Sequence, residues 1–115
     1  MKTLSMTRNN DFLRAYRRGK SVSDPCVVCY VVPNRLAVTR LGLTTSKKIG
    51  NAVARNRARR VLRAAYREIA PQILPGYDIV LVARTKTTFI KSTALTPILT
   101  AQLCKLGALQ SKEKE

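Results

Sequence analysis

The chain has 115 residues, with 22 Lys or Arg against 6 Asp or Glu and no His, so it carries a formal net charge of +16. That length holds one core and hardly two, and a hydrophobic fraction of 45% excludes a disordered basic tail. No apolar run reaches the roughly 18 residues of a membrane span, and the start MKTLSMTRNNDF lacks the apolar stretch of a secretory signal, so the expected location is the cytoplasm.

Residues 8–19, RNNDFLRAYRRG, predict a short helix, with Asn9 or Asn10 as N-cap and Gly19 as its stop. Phe12 and Tyr16 are four apart and share one face of it. A short strand is expected near Ser21 to Ser23. Residues 26–32 form an apolar, β-branched run, and Pro33-Asn34 signals a turn. Residues 36–46, LAVTRLGLTTS, then predict a second strand, hairpin partner of the first. Cys26 and Cys29 have C-x-x-C spacing, but residues three apart in a strand point to opposite faces. Structural zinc wants about four ligands, and the only other candidate of this type is Cys104. Reduced, packed thiols are the expectation, with no metal site.

Gly50 and Asn51 open a long helix, with Asn51 as N-cap, that Pro71 should end at about residue 70. Ten basic residues and no acid lie between Asp24 and Glu68. At 100° per residue, Ala54, Ala58, Val61, Leu62, Ala65 and Ile69 fall between about 240° and 340°. Arg55, Asn56, Arg57, Arg59, Arg60, Arg63 and Arg67 fall between about 0° and 200°, with Val53 the one apolar residue on their side. Arginines at 55, 59, 63 and 67 rise about 6 Å per step, close to the phosphate spacing of a nucleic-acid strand. An ordinary solvated face would intersperse Glu, and like charges four apart weaken an isolated helix. The stripe therefore points to a polyanion, which arginine's planar fork binds with paired hydrogen bonds. A membrane-surface helix is disfavoured, because Trp is absent and the apolar face is mostly Ala, Val, Leu and Ile.

Pro75-Gly76 predicts a turn, and Tyr77 to Ala83 the strongest strand, apolar on both faces and therefore central. Residues 91–107 predict a last helix that starts near Ser92 or Thr93, carries Pro97 in its first turns and stops at Gly107. Residues 108–115 read as a frayed tail. The expected fold is a single-domain α+β sandwich of order αβββαβα, with a core over about 8–107. Catalysis by protein side chains is not expected. No His is present to shuttle protons, and Asp11, Asp24, Glu68 and Asp78 are scattered one per element, as caps or ion-pair partners would be. Phe12, Tyr16 and Tyr30, beside Arg17 and Arg18, could line a groove in which an extended single strand stacks.

The run Ser46-Lys47-Lys48-Ile49-Gly50-Asn51-Ala52-Val53, followed by Arg55-Asn56-Arg57, Arg59-Arg60 and Arg63, resembles the signature of the bacterial ribonuclease P protein subunit. Arg59 stands where Lys is common, and the Leu4 to Arg8 segment is less basic than in many relatives. The resemblance spans about residues 8–107. It implies a four-stranded sheet with three helices, similar to a domain of some ribosomal proteins, and a left-handed β-α-β crossover where the general rule expects a right-handed one.

It also implies a function. Ribonuclease P removes the 5′ leader of precursor tRNA. Its catalytic part is an RNA, and Mg²⁺ is held by that RNA and the substrate. The protein, one monomer per RNA, binds the catalytic RNA and the leader. By the match of positions, Lys47, Lys48, Arg55, Asn56, Arg57, Arg59, Arg60, Arg63 and Arg67 would face the catalytic RNA. Phe12, Tyr16, Arg17, Val28 and Tyr30, with Lys47 and Arg55, would line the leader cleft, and Asn56 would orient its neighbours. No membrane or DNA partner is implied. The competing reading is a ribosome-associated RNA-binding protein of similar fold, which would share the charge but not need the aromatic groove.

Overall fold

The computed structural model describes residues 3–109. Its chain order is β1 (Thr3–Ser5), α1 (Asn9–Arg18), β2 (Lys20–Asp24), β3 (Val27–Pro33), β4 (Thr39–Thr44), α2 (Ala52–Ile69), β5 (Tyr77–Ala83) and α3 (Ser92–Lys105). The class is α+β, as expected. The sheet has five strands where four were expected, in the order β1-β4-β5-β3-β2. The addition is β1, which lies parallel to β4 with Thr3 opposite Thr39. Three polar-flanked residues carry too little periodicity to signal a strand.

β3 and β4 do not form the expected hairpin. β5 lies between them, antiparallel to β3 and parallel to β4. Alternation within a segment marks a strand but not its neighbour, and β5, apolar on both sides, gains most from the central place. Asn34 helps to seat it. The Asn34 amide donates to Val38 O at 3.1 Å and to Asp78 of β5 at 2.8 Å, and its backbone N–H donates to Gly76 O at 2.9 Å. What looked like a tight turn is a broader loop held to a third strand.

Helix boundaries follow from capping. Asn51 accepts from Ala54 N at 3.0 Å and starts α2 after Gly50, whose φ of 140° disfavours any side chain. Pro71 falls in a 3₁₀ turn, Ala70–Gln72, directly after the helix. Gly107 turns the chain out of α3 with φ 78°. At α1, neither Asn9 nor Asn10 is the cap. Arg8 holds that place, its carbonyl accepting from Asp11 N and Phe12 N, so the first turn closes one residue earlier than expected. Gly19 does stop α1, but in an extended conformation. Its role is close approach: a Cβ there would lie 2.5 Å from Ala15 O.

Both faces of the sheet are covered. On one, Val27, Cys29, Val31, Ile79 and Leu81 pack against Leu62 and Ile69 of α2 and Leu95, Leu99 and Leu103 of α3. On the other, Val32 and Val80 pack against Met6 and Ala15, with Phe12, Tyr30 and Val82 at the margin. α1 thus crosses the face opposite α2 and α3. Ala108 and Leu109 of the expected frayed tail are instead held in place: Ala108 is buried, Leu74 N donates to Ala108 O at 2.8 Å, and Leu109 bridges Ile73. Residues 110–115 of that expected tail lie outside the described residues.

Candidate nucleic-acid interface

α2 is the frame of the basic surface. Ala58, Leu62, Ala65, Tyr66 and Ile69 are buried, whereas Arg57, Arg60, Arg63 and Arg67 are exposed. Tyr66 was absent from the predicted apolar arc; it is buried, and its hydroxyl shares a hydrogen bond of 3.2 Å with that of Thr3 in β1. Val53 lies on the polar side, 75% exposed. The arginines are not equivalent. Arg55 folds back to donate to Gly50 O at 2.9 Å, and Arg57 donates through Nε to Thr88 O at 2.8 Å. Arg59 donates to Asn56 Oδ1 at 3.2 Å, so Asn56 orients an arginine rather than adding charge. Lys47 and Lys48 are exposed on the 3₁₀ turn Lys47–Ile49, which Ser46 starts by accepting from Lys48 N.

Period-2 alternation places Val28, Tyr30 and Val32 on the α1 side of β3. The register sets Val28 opposite Val82, Tyr30 opposite Val80, and Gly42 of β4 beyond Val80. Phe12 lies over Gly42, where a Cβ would come within 2.6 Å of the ring. The Tyr16 and Tyr30 rings meet edge to face, with centroids 5.0 Å apart, and the Tyr16 hydroxyl shares a 3.0 Å hydrogen bond with that of Thr44. Phe12, Tyr16 and Tyr30 therefore come together as the spacing suggested. Val28 extends this floor into a groove of about 250 Å³, where Lys48, Val82 and Arg84 also line the walls. The groove lies between the ends of β3 and β5 and the 3₁₀ turn Lys47–Ile49 that precedes α2. Arg17 is exposed on the last turn of α1 and is not part of the aromatic contact. Gly42, Thr44, Val82 and Arg84 were not foreseen as site residues. Strand parity marks Val82, but Gly42 and Thr44 enter only once β4 is known to lie beside β5.

A charged network fixes α1 over this floor. Asp78, fully enclosed, accepts from Arg40 Nε at 2.8 Å and from Arg40 Nη2 at 2.7 Å. Arg40 also donates to Asp11 of α1 at 3.2 Å, and Arg14 of α1 stands 3.6 Å from Asp78. Burial pushes the Asp78 carboxyl up. The hydrogen bonds from Arg40 and Asn34 and the nearby guanidinium charges outweigh burial and hold it below the usual carboxylate range. The hydrogen bond to Asp78 likewise raises Arg40 and keeps it charged. Asp24 caps the turn into β3 by accepting from Cys26 N at 2.8 Å. These acids are ion-pair and capping partners, as their scatter suggested.

The cysteines need one correction. Cys26 precedes β3 rather than lying in it, so the opposite-face argument does not apply; it packs against the same core as Cys29. All three thiols are free, and Cys104 is exposed rather than packed. Burial pushes the Cys29 thiol up to about 12, the reverse of what a reactive thiolate needs. Among the described residues no three His, Cys, Asp or Glu side chains converge, and no helix is long and apolar enough to cross a membrane. Among the described residues the exposed arginines and lysines offer the donors that phosphates accept from, and the aromatic rings offer faces of the kind bases stack on.

The comparisons agree with one another. The family model described as ribonuclease P matches residues 1–107. The ribonuclease P protein component of Clostridioides difficile (strain 630) is 40% identical over 87 residues, 75% of this chain and 76% of the relative. That of Caldanaerobacter subterraneus subsp. tengcongensis is 35% identical over 113 residues, 98% and 97% of the two chains. The structure of the Staphylococcus aureus RNase P protein matches with a TM-score of 0.82 at 31% identity, covering 95% of this chain and 100% of that one. With a family model matched over nearly its whole length and a fold shared with a solved relative, this chain belongs to the ribonuclease P protein component family.

Proposed function

We propose that the protein is the binding subunit of a tRNA-processing ribonucleoprotein, with two RNA-contacting surfaces that meet at the start of α2. The outward face of α2, with Arg57, Arg59, Arg60, Arg63 and Arg67, takes phosphates of the catalytic RNA. The floor of Phe12, Tyr16, Val28 and Tyr30 takes the 5′ leader of precursor tRNA as an extended strand. Lys47, Lys48 and Arg55 stand where the surfaces meet and serve both; Arg17 supplies charge from the α1 side. One monomer serves one RNA, and neither DNA nor membrane is a partner. The observation that carries this reading is the pairing of Tyr16 with Tyr30 on the α1 side of the sheet, in a chain whose longest helix presents an acid-free arginine face from Ala52 to Arg67.

Among the described residues no three side chains converge that could hold the family's Mg²⁺. Asp11 and Asp78 are held by Arg40, and Asp24 caps a turn, so these carboxylates are engaged elsewhere. The ion belongs to the RNA and the substrate, and supplies there the activation of water. The protein's own contribution is affinity and orientation. Neutralising phosphates near the reacting bond lowers the magnesium needed to hold the RNAs together.

Leader length tests the cleft. Phe12→Ala or Tyr30→Ala should weaken binding of a precursor with a long leader by roughly five- to 100-fold, the scale of one base–aromatic stack. A leaderless tRNA should be unaffected. Equal losses on both substrates would contradict the cleft assignment.

A further inference from the structure

Phe89 is the most exposed of the large apolar residues among those described, at 80%. It ends the 3₁₀ turn Thr85–Phe89, and that turn is held from inside. Buried Thr87 accepts from Arg84 N at 2.8 Å and donates its hydroxyl to Cys26 O. Thr88 O is held by Arg57 Nε of α2 at 2.8 Å, and Ile90 packs against the main core. The turn that carries the ring is therefore anchored on both sides, and the ring itself is left in water. The next residue in the chain, Ile90, lines a groove of about 350 Å³ together with Arg57, Arg60 and Lys91. No acid occurs between Asp78 and Glu113. An isolated exposed apolar residue is ordinary. An exposed aromatic on an anchored turn, one residue in sequence from a groove lined by three cations and in a segment without acids, has the make-up of a site for single-stranded nucleic acid.

We propose that Phe89 is a stacking platform for an unpaired base of the RNA bound by α2, with Arg57, Arg60 and Lys91 holding the adjoining phosphates. The inference rests on the RNA-binding reading above and adds a second base contact, outside the aromatic cleft. Charge complementarity selects RNA over an apolar protein surface, because the cations of the groove would stay unpaired against the latter.

The chain has no Trp, so Phe89→Trp introduces a single reporter at the ring itself. Titrating that variant with the bacterial catalytic RNA should quench its fluorescence as a base stacks. Phe89→Ala and Phe89→Leu should each weaken the RNA by about ten-fold, and Phe89→Tyr should bind as the wild type does. The dependence of log Kd on log salt should keep its slope in all of them, since the ring releases no counterions. Thermal unfolding should be unchanged, because the ring buries almost nothing. Unquenched Phe89→Trp, or Phe89→Ala at wild-type affinity, would overturn the platform and leave the arginine face standing. Phe89→Leu at wild-type affinity would overturn stacking in favour of a plain apolar contact. Failure of the wild-type protein to bind the RNA would overturn the underlying reading as well.

Discussion

Asp78 shows how much of the site depends on residues that touch no ligand. It joins Arg40 of β4 and Asn34 of the loop before it, and lies within reach of Arg14 of α1, while Arg40 reaches Asp11 of α1. Removing one partner of an enclosed ion pair strands the other, at a cost of about 3–5 kcal/mol. Arg40→Ala should therefore lower stability by that order in a denaturant titration and loosen α1 over the cleft. The pH dependence follows from the same pair. With its folded pKa depressed, Asp78 adds stability in full above the unfolded carboxylate value of about 4, and that stability is lost as pH falls through the lower folded value. In Arg40→Ala burial dominates and the carboxyl protonates at higher pH, so acid unfolding monitored by circular dichroism should begin earlier. An acid midpoint unmoved by the substitution would contradict the pairing. Gly42 is a second silent determinant. Gly42→Ala drives a Cβ into the Phe12 ring, so it should weaken long-leader substrates as Phe12→Ala does, with the aromatic still present. The aromatic set was legible from helical and strand spacing. Gly42 and the Asn34–Arg40–Asp78 cluster were not, because residues 38 positions apart meet only after β5 inserts.

At the scale of elements, α2 was the most legible part of the chain. A helical period, a cap, a closing proline and an acid-free polar face all point the same way, and its bounds agree with expectation to one residue. Asn51→Ala should cost about 1 kcal/mol through the lost cap, readable as a lower Tm. Leu62→Ala, at the fully buried centre of the same helix, should cost about 2–5 kcal/mol. The strands were found more readily than their neighbours. Burial alternates along the first part of β3 but not along β4 or β5, and pairing is decided by which strand can be buried on both sides, a condition β5 meets most fully. β1 was missed for the same reason in reverse: it is short and owes its place to backbone pairing with β4 and to the Thr3–Tyr66 contact.

Over the whole molecule, charge is the dominant fact. A net charge of +16 on a chain of 115 residues stores self-repulsion that a polyanion relieves. Affinity for the RNA should fall steeply with salt, and Arg60→Ala should reduce the slope of log Kd against log salt by about one; an unchanged slope would remove Arg60 from the contact surface. The proposed function gives this protein the work of binding, and leaves the bond-breaking step to its RNA partner. Cleavage of a precursor tRNA at low magnesium tests that division most directly, with the protein alone, the bacterial catalytic RNA alone, and the two together. Cleavage should occur only in the combined reaction. Cleavage by the protein alone, or no gain when it joins the RNA, would contradict it.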